Sequence, residues 1–137
     1  LMPLQKLIYK KVHEPIDCYE ESTWLGNDTP FFENDYTAVF NDKYPSCKGH
    51  ILFVPKKNNA EYVSESYKLL YSWADKWIKE GKINGYNAGQ NVGKCAGQTV
   101  MWPHIHFIPR HDGDSDLKKQ LNGIRMAHPN GNNRHFY

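Results

Sequence analysis

Gly97-Gln98-Thr99-Val100-Met101-Trp102-Pro103-His104-Ile105-His106-Phe107-Ile108-Pro109-Arg110 carries the most information in this chain. Trp102 to Ile108 reads as a strand, with Pro103 at its start, where a missing amide donor does least harm. Successive side chains of a strand leave opposite faces. Trp102, His104 and His106 therefore share one face, and Pro103, Ile105 and Phe107 point the other way, toward a core. Two imidazoles side by side on a rigid strand suit nucleophilic or acid–base work near neutral pH. The same pair could chelate zinc, although no third ligand is obvious nearby. Two histidines on a half-exposed strand would also satisfy the pattern.

Working outward, Tyr36–Phe40 is β-branched and aromatic, and His50–Val54 is an apolar run closed by Pro55. The turn-rich Asn41–Ser46 link predicts an antiparallel pair. Val63, Tyr67, Leu70, Ala74 and Trp77 draw one apolar stripe at helical spacing, which predicts a helix over roughly residues 61–80. Asn59 and Ser64 are candidate N-caps and Gly81 is a stop. Tyr86–Val92 reads as a further strand, followed by the Gly93–Gly97 bend. Trp24 suggests a short strand of its own. Near the start, Leu4, Leu7, Ile8 and Val12 predict a short N-terminal helix that Pro15 ends. Residues 128–134 hold little that could be buried and read as an exposed or partner-held tail.

At 137 residues the chain has room for one domain. Apolar residues at 39% and aromatics at 14% favour a folded globule over disorder. No run of 18 apolar residues exists, so a membrane span is not expected, and Leu1–Lys6 lacks an apolar signal core. A net charge of +2 spread along the sequence does not predict nucleic-acid binding. Cys18, Cys47 and Cys95, odd in number and far apart, read as reduced thiols and as neither a disulfide framework nor a CxxC zinc site. A cytoplasmic location follows as the expectation.

The 97–110 stretch closely resembles the signature of the histidine-triad superfamily: Gly-Gln-Ser/Thr-Val, one residue, then His-φ-His-φ-His-φ-φ, with φ apolar. The Pro-Arg that follows and Gly113-Asp114 look most like the fragile-histidine-triad and dinucleoside polyphosphate hydrolase branch. Phe40-Asn41-Asp42-Lys43-Tyr44-Pro45 and Gly49-His50-Ile51-Leu52-Phe53-Val54-Pro55-Lys56 also match family patterns. The resemblance runs from about Phe31 to Asp114. It implies an α+β fold with an antiparallel sheet of about five strands and one main helix. Residues 31–116 would form the catalytic core, between an N-terminal extension (1–30) and a C-terminal tail (117–137).

The resemblance also implies roles. His104 takes the place of the nucleophile that attacks an α-phosphorus. His106 would hydrogen-bond phosphate oxygens and assist the leaving group. His50 would lie close to both from the neighbouring strand, completing the catalytic set. Gln98, Thr99 and Asn91 match phosphate contacts, and Asp42 matches the position that holds ribose hydroxyls. The first triad position holds Trp102, whose indole neither accepts a hydrogen bond nor titrates near neutrality. Its carbonyl can still fix the nucleophile's tautomer, and its ring is expected beside the site, among the nucleotide-binding residues.

The expectation is a nucleotide hydrolase or nucleotidyl transferase working through a nucleotidyl-histidine intermediate. Dinucleoside polyphosphates, nucleoside phosphoramidates and nucleotide sugars are candidate substrates. The alternative is a nucleotide-binding module that lost turnover through Trp102. A repair role like that of aprataxin-type relatives finds no zinc-finger spacing or basic tail to support it. No cofactor or metal site is required, and a divalent cation is expected at most as a companion of substrate phosphates. A homodimer is expected, because family members often pair into one larger sheet.

Overall fold

Asn59 opens the one long helix of the computed structural model, which describes residues 13–22, 24, 28–114 and 123–131. Its side chain accepts the Tyr62 amide at 2.9 Å, satisfying a donor that the first helical turn leaves free. Helix α1 spans Ala60–Lys79, and Gly81, at φ +74°, ends it in a conformation that costs glycine little. Leu70 and Ala74 of the expected stripe are buried, but Tyr67 is exposed. Ser66 is the buried residue at that level. Its hydroxyl lies 2.6 Å from that of Thr37 and donates to the Tyr62 carbonyl at 2.8 Å. Trp73, which the stripe omits, packs against Phe31, Phe32, Phe53 and Trp77.

Five strands form one antiparallel sheet: β1 (Phe32–Glu33), β2 (Thr37–Asn41), β3 (Ile51–Pro55), β4 (Gly85–Gly89) and β5 (Ile105–Arg110), in the order β1-β2-β3-β5-β4. The α+β class and the strand count follow the sequence reading; several boundaries differ. Pairing on β5 begins only after His104, because Pro103 has no amide to donate. Strand β4 stops at Gly89, and residues 90–92 of the expected segment continue without strand pairing. The fifth strand is Phe32–Glu33, not a strand at Trp24. Trp24 is helical, and its carbonyl accepts the Asp28 amide at 2.7 Å. The expected N-terminal helix over residues 4–12 lies outside the described residues.

The sheet separates two apolar clusters. On the α1 face, Val39, Ile51, Phe53, Ile105 and Phe107 meet Leu70, Ala74 and Ile83. On the opposite face, Ala38, Phe40, Leu52, Val54 and Trp102 meet Tyr19 and Trp24. Each fully buried side chain of this size contributes about 1.5–3 kcal/mol. Strand β5 alternates accordingly: Ile105, Phe107 and Pro109 are buried, whereas His106, Ile108 and Arg110 are partly open on the other side. That second face carries the candidate site. The N-terminal segment is tied to it, since the His13 amide donates to the Thr99 carbonyl at 2.9 Å and Pro15 bridges to Met101.

Candidate active site

Register places the histidines. Leu52 pairs with His106 across β3 and β5, so His50, two residues before Leu52, projects from the same face next to β5. His50 Nε2 lies 2.9 Å from His106 Nδ1. Asp42 follows β2, and its backbone amide donates to the His50 carbonyl at 3.0 Å. The Asp42 carboxylate is thereby turned inward. Oδ1 accepts the Tyr44 amide at 2.7 Å, and Oδ2 lies 3.2 Å from His50 Nε2 and 3.7 Å from His106 Nδ1.

His104 precedes β5 and is 8% exposed. Its Nδ1 lies 2.7 Å from the Trp102 carbonyl. A carbonyl only accepts, so Nδ1 carries the proton and Nε2 presents a bare lone pair. The indole of Trp24 packs against this ring at a centroid distance of 4.8 Å, and the His106 ring lies at 5.3 Å. Burial holds the proton affinity of His104 below the usual histidine range, against the raising effects of the Trp102 carbonyl and Asp42. Burial also lowers His50, with Asp42 opposing it. His106 is pushed down to about 4, first by burial and then by His104 and His50, again against Asp42. All three imidazoles are therefore neutral near pH 7.

His50 and His106 open onto a groove of about 900 Å³, within the range of sites that take small ligands. Asn91 lines it, together with Lys48, Asn87 and Arg110. Arg110 Nη1 donates to Asn87 Oδ1 at 2.7 Å. Part of the C-terminal segment expected to be tail forms the far wall through Gly123, Ile124 and Ala127. Gln98 and Thr99 are not among the lining residues. Both ends of the Gln98 amide are engaged within the turn: Oε1 accepts from the Gly93 amide at 2.9 Å and Nε2 donates to the Val100 carbonyl at 3.0 Å. Gln98 shapes the turn from inside, while Thr99 is exposed beside it. Gly97, at φ +89°, faces the Asn91 side chain, and a Cβ built there would meet Asn91 Nδ2 at 3.7 Å.

Trp102, expected beside the ligand, is 3% exposed and enclosed in the second apolar cluster. Its ring packs and its carbonyl orients His104; neither its ring nor that of His104 lines the groove. Sequence reasoning missed Trp24, which no spacing rule ties to His104. It also missed Ile108 and Arg110 as groove residues, which the β5 alternation could have supplied.

Residues 27–113 match the HIT domain family model. The chain belongs to the HIT domain family. An uncharacterized HIT-like protein of Methanocaldococcus jannaschii is 33% identical over 94 residues, covering 64% of this chain and 73% of that protein. The adenosine 5'-monophosphoramidase of Saccharomyces cerevisiae is 34% identical over 103 residues, covering 68% of this chain and 63% of that enzyme. Among solved structures, Plasmodium falciparum diadenosine triphosphate hydrolase is similar at a TM-score of 0.59 and 25% identity, covering 80% and 82% of the two chains. Hydrolases of nucleotides thus stand among the relatives of this HIT domain.

Proposed function

We propose that this HIT domain cleaves a nucleotide at its α-phosphate through a nucleotidyl-His104 intermediate, with dinucleoside polyphosphates or nucleoside phosphoramidates as substrates. The observation that supports this most is the 2.7 Å contact between His104 Nδ1 and the Trp102 carbonyl, which leaves Nε2 bare. In the first step Nε2 forms a bond to the α-phosphorus, and the bond from phosphorus to the leaving oxygen or nitrogen breaks. The ring gains positive charge, which the same carbonyl stabilises through Nδ1–H. Water then attacks phosphorus, His104 Nε2 departs, and a nucleoside monophosphate is released. In this reading His106 contacts the phosphate, and Asn91 and Thr99 contribute polar groups near it.

Incubation with nucleotide labelled in the nucleoside tests the reading. Label should be trapped on His104 after an acid-free quench and should then chase into nucleoside monophosphate. The 8% exposure of His104 beneath Trp24 favours a second reading, a nucleotide-binding module without turnover. Binding without trapped label or release would establish that second reading.

We also propose a homodimer. Strand β4 is a sheet edge, and Tyr67, Leu70, Tyr71, Tyr86 and Ala88 line a recess beside it. An open edge flanked by apolar surface suits pairing with a second copy, and light scattering at micromolar concentration tests it. Among the described residues, no helix is long and apolar enough to cross a membrane. A cytoplasmic setting with reduced thiols remains part of this proposal.

A further inference from the structure

The amide of Ser46 donates to His50 Nδ1 at 2.9 Å. A backbone N–H can only donate, so Nδ1 must accept, and the neutral His50 ring carries its proton on Nε2. That Nε2–H faces His106 Nδ1 at 2.9 Å, with Asp42 Oδ2 at 3.2 Å as a second acceptor. A proton on His106 Nδ1 would set two hydrogens against each other at that spacing. His106 Nδ1 is therefore bare, and its proton sits on Nε2.

We propose that His50 is a positioning residue, oriented by the Ser46 amide, that fixes His106 as a neutral Nε2–H hydrogen-bond donor. His104 and His106 then carry opposite tautomers, each set by a backbone group of opposite polarity. The Trp102 carbonyl bares Nε2 of His104 for attack. The Ser46 amide, acting through His50, arms Nε2 of His106 for donation to a phosphate oxygen or leaving atom. Neither role requires an imidazolium. The groups facing His106 are His104 on its own strand, His50 from β3 and Asp42 from the end of β2. Only Asp42 favours a positive charge there, and burial with the two imidazoles outweighs it.

The same contacts weigh against a metal ion. Asp42, His50 and His106 offer ligand atoms within 4.8 Å of one another. A cation there would need His50 Nε2 unprotonated, which moves the proton to Nδ1 and sets it against the Ser46 N–H. The tautomer arrangement and metal ligation exclude each other at His50.

This inference rests on the proposed reaction for its catalytic meaning, but its first readout needs no turnover. Long-range proton–nitrogen NMR correlation on chelator-treated, ¹⁵N-histidine-labelled protein near neutral pH reports each ring's tautomer. The expected spectrum has Nε2–H on His50 and His106 and Nδ1–H on His104. In His50→Phe, His106 should become a mixture of tautomers, and kcat should fall about tenfold with KM changed less than about threefold. His50→Gln, which retains an N–H donor, should recover part of both effects.

Nδ1–H on wild-type His106 overturns the proposal. So does an unchanged tautomer in a folded His50→Phe. One equivalent of zinc that broadens or shifts both His50 and His106 would replace it with a metal site. If His50→Phe does not fold, the wild-type spectrum alone decides. Failure to trap nucleotide on His104 removes the reaction and leaves the tautomer result standing.

Discussion

The indole Nε1–H of Trp102 donates to the Pro55 carbonyl at 2.8 Å, while the carbonyl of Trp102 accepts from His104 Nδ1 at 2.7 Å. The residue at the position where the sequence signature expects the first histidine is held at its ring by the end of β3, and its backbone holds the proposed nucleophile. A histidine ring is too short to reproduce the packing of an enclosed indole. Trp102 is thus a buried anchor whose backbone carbonyl orients His104.

Trp102→Ala should lose roughly 3–5 kcal/mol of stability by opening a cavity in the second apolar cluster. Trp102→Phe keeps most of the ring but leaves the Pro55 carbonyl without this donor, at a cost of about 1–3 kcal/mol. Urea titration distinguishes the two by their midpoints at constant slope. Equal stability of Trp102→Phe and wild type would mean that the hydrogen bond contributes nothing net. Trp102→His should stay folded and gain no more than about tenfold in kcat/KM, because the tautomer-setting carbonyl is already present. A gain of several orders of magnitude would instead identify the wild-type chain as a binding module.

His104→Ala should abolish turnover and leave nucleotide affinity within about threefold of wild type, since the covalent step needs the imidazole and binding draws on other groups. Calorimetry with a non-hydrolysable nucleotide and single-turnover kinetics measure the two effects. A variant that keeps more than about a tenth of wild-type kcat, a difference under about 1.4 kcal/mol, would show that His104 is not the nucleophile.

The parts of the molecule read well from sequence are those that local periodicity decides. Ile105 and Phe107 are buried and His106 is partly open because strand alternation allows little else. Asn59 caps α1, and Leu70 and Ala74 enter the core, as helical spacing dictates. What could not be read depends on register and on partners far along the chain. The Trp102 indole finds a carbonyl 47 residues away. His50 receives its orientation from the Ser46 amide, which sequence shows only as a turn residue. Gln98 bears the motif's polar side chain yet spends both ends of its amide on its own turn. Trp24 reaches His104 from a segment with no periodicity at all.

Asp42 separates two roles by experiment. The family resemblance implies a ribose contact for it, and the structure sets Oδ2 against His50 and His106 while Oδ1 holds the Tyr44 amide. If a ribose also takes this carboxylate, Asp42→Ala should weaken binding of a ribonucleotide by roughly 1.5–3 kcal/mol per lost charge-assisted hydrogen bond. The loss should be much smaller for the 2′,3′-dideoxy analogue. Equal losses for both ligands would confine Asp42 to the imidazole pair and its turn.

Acid should affect stability and activity through the same imidazoles. The folded protein holds the proton affinities of His50, His104 and His106 below the ordinary histidine value of 6.5, with His106 at about 4. Between about 4 and 6.5 the unfolded chain therefore binds more protons than the folded one, and stability rises with pH across that window. This contribution is fully present above 6.5 and is lost as pH falls toward the folded value of His106. Melting temperature should accordingly drop from about pH 7 to about pH 5, and His106→Phe should flatten the slope. Activity should fade later than free imidazole would suggest. A bare His104 Nε2 survives below pH 6.5, so the acid limb of kcat/KM should lie clearly under that value. An acid limb centred at or above 6.5 would mean that the reacting imidazole is not in this depressed, buried environment.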